Sequence, residues 1–148
     1  MKRIFIIFSI LMSVVQSSNA QSSNSRFTII DYLNPQLKEL TVQINDESSL
    51  YVVGNSQVLA PDQITSALTN KHVEELHIYV SCKPGSMVFM NTAITTDNIR
   101  SFATALSVWK NHISKRVVIH NLDVFQSGKG AELKSNLEQI TGLNFASE

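Results

Sequence analysis

The chain has 148 residues, twelve Lys+Arg against twelve Asp+Glu, 43% hydrophobic residues and one cysteine. A single domain of that size buries about two-thirds of its unfolded surface, so it needs no disulfide framework, and one cysteine cannot form one. The balanced charge provides no bulk field for nucleic acid or an anionic membrane. Cys82 and four scattered histidines (His72, His77, His112, His120) show no metal-ligand spacing, so no metal or other cofactor is expected.

Lys2 and Arg3 precede an apolar run from Ile4 to Val15, then Gln16-Ser17-Ser18-Asn19-Ala20. A charged start, an apolar stretch of about a dozen residues and small residues at Ser18 and Ala20 predict an export signal cut after Ala20. The run is shorter than the roughly twenty residues a membrane span needs. The expected organisation is a signal over 1–20, a flexible polar start over 21–26 and one domain over 27–148, secreted or periplasmic. Loss of Lys2 and Arg3 leaves ten bases against twelve acids.

Phe27 to Asp31 reads as the first strand. Asn34-Pro35 opens a helix, since proline is tolerated in a first turn, with Leu33, Leu37, Leu40 and Ile44 as its buried stripe. Leu50 to Val53 is the second strand. Pro61 starts a short helix with Ile64 and Leu68 inward, closed by Asn70. Leu76 to Val80 is the third strand. Lys83-Pro84-Gly85-Ser86 is turn chemistry, and Met87–Phe89 and Ala93–Thr95 flank Asn91-Thr92 as a small hairpin.

Thr96 and Asp97 suit a helix start, and Ile99, Phe102, Leu106, Trp109 and Ile113 recur at spacings of three and four. That stripe predicts a helix laid on a sheet; it is too short for a coiled coil. Arg116 to Leu122 is the fourth strand, Ser127 to Gly130 a loop, Ala131 to Thr141 a helix stopped by Gly142, and Leu143 to Ala146 a last short strand. The alternation predicts an α/β fold: a mostly parallel central sheet of about four strands, helices on both faces, and a small hairpin near residues 86–95.

Leu76-His77-Ile78, Pro84-Gly85-Ser86, Asn91-Thr92, a helix from near Asn98, Asp123-Val124 and Leu137-x-x-Ile140-Thr141-Gly142 follow one another in that order. The ordered set resembles the domain family of unknown function numbered 4347, from about Phe27 to Ala146. The resemblance implies an exported bacterial protein with a three-layer sandwich like that of caspase and gingipain cysteine peptidases. In that family the third strand ends in Ser-His-Gly and the fourth in Gly-Cys before Asp or Asn. Such peptidases need a thiolate beside an imidazole.

Matched from Pro84-Gly85 and Asp123-Val124, this chain has Ser81 at the histidine position and Cys82 at the glycine. Leu122 stands at the cysteine and Asn121 at the glycine. Leucine is no nucleophile in any protonation state, so the expectation is a degenerate site in a non-enzymatic binding or structural domain at the cell envelope. One competing reading is a hydrolase with an exchanged Cys82/His120 pair. Another is an adhesion or assembly module acting through the hairpin or Cys82. The ligand or partner is unspecified; a protein or cell-surface partner fits, whereas nucleic acid and membrane do not.

Three other features have plain readings. Ser127-Gly128-Lys129-Gly130 lacks the spacing of a phosphate loop and reads as a tight strand-to-helix connection. Glu74 and Glu75 are an adjacent acid pair just before a strand, and neighbours in extended structure point apart, so no shared general acid–base role is expected. Trp109 reads as a core anchor.

Overall fold

In the computed structural model the described residues are 26–148; the expected export signal and residues 21–25 lie outside them. Five strands form the central sheet: β1 (Arg26–Asp31), β2 (Leu50–Val53), β3 (Val73–Tyr79), β7 (Ile113–Ile119) and β8 (Asn144–Ser147). Their order is β2-β1-β3-β7-β8 and every pairing is parallel. The order reverses between β1 and β3, and such a reversal opens a crevice at the carboxyl ends of an open sheet.

A second, antiparallel sheet of β4 (Ser81–Lys83), β5 (Ser86–Phe89) and β6 (Thr92–Thr95) contains the predicted hairpin. It has one strand more than expected, because Ser81-Cys82-Lys83 pairs with β5. Pro84-Gly85 makes the two-residue turn between them, with Gly85 at φ +76°. A Cβ there would lie 2.7 Å from that of Lys129, so glycine serves both the turn and the close approach.

Alternation along the strands makes two unlike faces. Phe27 and Ile29, Leu76 and Ile78, Val117 and Ile119, and Phe145 point to one face and are buried. They pack against Ile64 and Leu68 of α2 (Ala60–Leu68), Leu106 of α3 (Ala103–Ser107), and Leu133 and Leu137 of α4 (Ser127–Thr141). The other face carries Arg26 and Thr28, Glu75, His77 and Tyr79, and Arg116 and Val118 in register. Among the described residues the one α-helix on that side is the seven-residue α1 (Leu37–Gln43), across a cleft from Arg26, Thr28 and Tyr79. The α/β class with helices on both faces therefore stands, with a thin outer layer. Among the described residues no helix is long and apolar enough to cross a membrane.

Three local expectations change. The stripe Leu33, Leu37, Leu40, Ile44 is not buried: Leu33 is 62% exposed and α1 contains no buried residue. The spacing is amphipathic, but Leu40 and Ile44 line a cleft rather than packing tightly on the sheet. The helix begins after Pro35, because Asn34 Oδ1 accepts from Gln36 N and holds those residues in a turn.

The long helix expected through Ile113 breaks into a 3-10 turn (Ile99–Phe102), α3, and a second 3-10 turn (Trp109–Asn111). Asn98 Oδ1 accepts from Thr95 N and its amide donates to Ala93 O, so the side chain holds β6 rather than extending a helix. Ile113 is needed by β7, where it pairs with Val73. Trp109 is the expected anchor: it is 2% exposed and its indole N–H donates to Thr65 Oγ1 at 3.0 Å. Finally, α4 begins at Ser127, four residues early. Gly130 permits this, since a Cβ there would lie 2.3 Å from the Phe125 carbonyl carbon. Gly142, at φ +69°, ends that helix as expected.

Candidate functional site

The carboxyl rim gathers the residues singled out from sequence. Ile78 pairs with Ile119, and Ser81 and Leu122 each follow three residues beyond their partner of that pair. The chain turns sharply at both places. Beyond β7, Asn121 N donates to Ile119 O and Asn121 Oδ1 accepts from Asp123 N, which leaves Leu122 63% exposed. Ser81 is exposed at the start of β4, opposite Val88.

Cys82 is half-buried, and its Sγ donates to Val80 O at 3.6 Å. Burial first, and the Asp123 carboxylate second, push its thiol up to about 12. His120 bonds elsewhere: its Nε2 lies 2.8 Å from His77 Nδ1, and its ring stacks on Tyr79 with centroids 3.9 Å apart. The structure brings His120 together with His77 and Tyr79, and leaves the Cys82 thiol on the carbonyl of Val80, two residues back along the chain.

The cluster around His77 was not anticipated. Glu75, His77 and Tyr79 alternate on one face of β3, and His120 follows β7 on the neighbouring strand. His77 is 1% exposed, and its Nε2 lies 3.0 Å from Glu75 Oε2. The other carboxylate oxygen, Glu75 Oε1, accepts from Arg116 Nε at 2.7 Å. An ionised carboxylate only accepts, so His77 Nε2 carries a hydrogen and Nδ1 is the acceptor. His120 Nε2–H must then be the donor, which leaves His120 Nδ1 as a lone pair. The result is a relay from Arg116 through Glu75 and His77 to the unprotonated nitrogen of His120.

The electrostatics match that assignment. Hydrogen bonds from Arg116 and then His77 hold the Glu75 carboxyl at about 2. Desolvation lowers His77 despite Glu75. Desolvation and the neighbouring His77 bring His120 down to about 4, so both rings are neutral at pH 7. Chemically, His120 Nδ1 is a hydrogen-bond acceptor or weak base. Period two was the available signal, since Glu75-x-His77-x-Tyr79 places three polar side chains on one strand face. The bond between the imidazoles spans 43 positions and depends on the β3–β7 register.

Glu74 points away from Glu75 as expected, and its Oε2 meets Lys115 Nζ at 2.8 Å. Residues 127–130 form the first turn of α4, of which only Gly130 is buried. Among the described residues no group of three His, Cys, Asp or Glu is placed to hold a metal ion.

A family model described as a domain of unknown function, DUF4347, matches residues 27–148. No curated protein and no solved structure matches the chain.

Proposed function

Because this chain belongs to the DUF4347 family, we propose that it is an exported, non-catalytic member that works by binding a partner at the cell envelope. The observation that carries this reading is the state of Cys82. A thiol at about 12 is, near pH 8, ionised in only about one molecule in ten thousand. Ser81 and Leu122, at the positions that match the imidazole and thiol of caspase-like peptidases, supply neither group.

Binding is supported by the rim. Tyr32 and Leu33 after β1, Val58 and Leu59 after β2, Val88 on β5 and Leu122 after β7 are exposed. They are six of the seven large exposed apolar side chains among the described residues, and their place in segments that follow the strands favours a contact surface at this edge over scattered exposure. In open α/β sheets this edge is also where ligands gather. The predicted signal over residues 1–20 would deliver the domain to the envelope.

Alkylation of Cys82 by iodoacetamide in the native protein, followed by mass spectrometry from pH 6 to 9, tests the reading. The expected result is slow labelling throughout, with rapid labelling after unfolding in urea. Native labelling with a midpoint below about pH 8 would reveal an activated thiol and restore the cysteine hydrolase. A self-assembling adhesion module is the other class, and a dimer in light scattering of the purified protein would favour it.

A further inference from the structure

The thinly covered sheet face holds a cleft of about 600 Å³, inside the roughly 300–1,000 Å³ usual for small-molecule sites. Arg26 and Thr28 of β1 and Tyr79 of β3 line it from the sheet; Leu40 and Ile44, at α1 and its end, line it from above. Thr28 is 3% exposed, yet its hydroxyl has no hydrogen-bond partner among the described residues. No enclosed polar side-chain atom among those residues is left unsatisfied, so this hydroxyl must open into the cleft.

Arg26 and the Tyr79 hydroxyl are likewise uncommitted: neither makes an ion pair or side-chain hydrogen bond among the described residues. Burial raises the Tyr79 phenol above its ordinary value, which keeps it a donor. Asp46 also lines the cleft, but its two oxygens already accept from Ser48 N and Ser49 Oγ at 2.9 Å. Three donors without acceptors thus line one cleft, beneath two half-buried aliphatic side chains. A guanidinium with flanking hydroxyls is a carboxylate or phosphate recogniser.

We propose that this cleft binds a small amphipathic organic anion. Its carboxylate or phosphate sits on Arg26, with the hydroxyls of Thr28 and Tyr79 as further donors, and its aliphatic part lies against Leu40 and Ile44. The cleft borders the carboxyl rim at Tyr79, but none of the residues that line it is Cys82, and it does not depend on the state of that thiol.

Isothermal titration of the purified protein with octanoate, octyl phosphate and octanol tests it. At least one anion binds at millimolar concentration or better, and octanol binds at least about tenfold more weakly because it cannot use the guanidinium. Preference for octanoate assigns a carboxylate ligand; preference for octyl phosphate assigns a phosphate. Arg26→Gln weakens the preferred anion about tenfold or more, and Thr28→Val, which keeps the β-branched shape, weakens it several-fold. Absence of binding by both anions, equal binding of octanol, or unchanged affinity in Arg26→Gln overturns the assignment. If Arg26→Gln fails to fold by circular dichroism, unchanged affinity in Thr28→Val overturns it instead.

Discussion

Acid should weaken the fold through the histidine pair before it reaches the ordinary carboxylates. His120 has a folded-state value of about 4 against 6.5 when unperturbed. Between those values the unfolded chain binds a proton that the folded chain refuses, so stability rises with pH across the window. Its contribution is fully present above 6.5 and is lost as pH falls toward 4. At 1.36 kcal/mol per unit, lowering the pH from 7 to 5 removes about 2 kcal/mol through this ring, or about 1 kcal/mol once solvent screening of a half-buried group is counted.

His77 is lowered too and adds in the same direction. Glu75 is held at about 2 from 4.5, so its share of stability is lost only below 4.5, outside the interval. Urea unfolding followed by Trp109 fluorescence at pH 7 and pH 5, on wild type and His120→Gln, isolates the effect. Wild type should lose about 1–2 kcal/mol, equivalent to about 4–8 °C in a thermal melt, and the variant should lose distinctly less. Equal wild-type stability at the two pH values, or the same drop in His120→Gln, would show that the imidazole relay does not oppose protonation.

Two further outcomes follow from packing and hydrogen bonding. Gly130→Ala places a methyl group 2.3 Å from the Phe125 carbonyl carbon, and should destabilise the domain by about 1–3 kcal/mol in urea titration; a neutral effect would mean that the first turn of α4 is free to shift. Asp31 is 1% exposed and accepts from Leu33 N at 3.1 Å and Met90 N at 2.8 Å, so it ties the β5–β6 turn to the end of β1. Asp31→Ala strands both amides at a cost of about 1–3 kcal/mol, and hydrogen exchange at Met90 should accelerate; unchanged protection there would refute the tie.

Local patterns along the chain carry much of this architecture. Apolar runs bounded by turn residues mark every strand of the central sheet, Pro84-Gly85 marks its turn, and Gly142 marks the end of α4. Each depends on steric preferences of a few adjacent residues, which is why each is readable without coordinates. Spacing failed where a distant partner decides the outcome. The apolar positions from Ile99 to Ile113 repeat as in one helix, but Ile113 is required opposite Val73. Leu37, Leu40 and Ile44 repeat as a buried stripe, but among the described residues none of them is fully buried.

The candidate sites divide in the same way. That Leu122 has no nucleophile to offer follows from residue identity alone, as does the likeness to one domain family. The relay from Arg116 to His120 exists only because parallel pairing sets β3 beside β7, which brings Glu75, His77 and His120 into contact across some forty positions. The cleft beside Tyr79 likewise arises from strand alternation and a thin outer layer. One-dimensional order encodes short-range torsional preference, whereas proximity of polar groups depends on which strands the folded sheet makes neighbours.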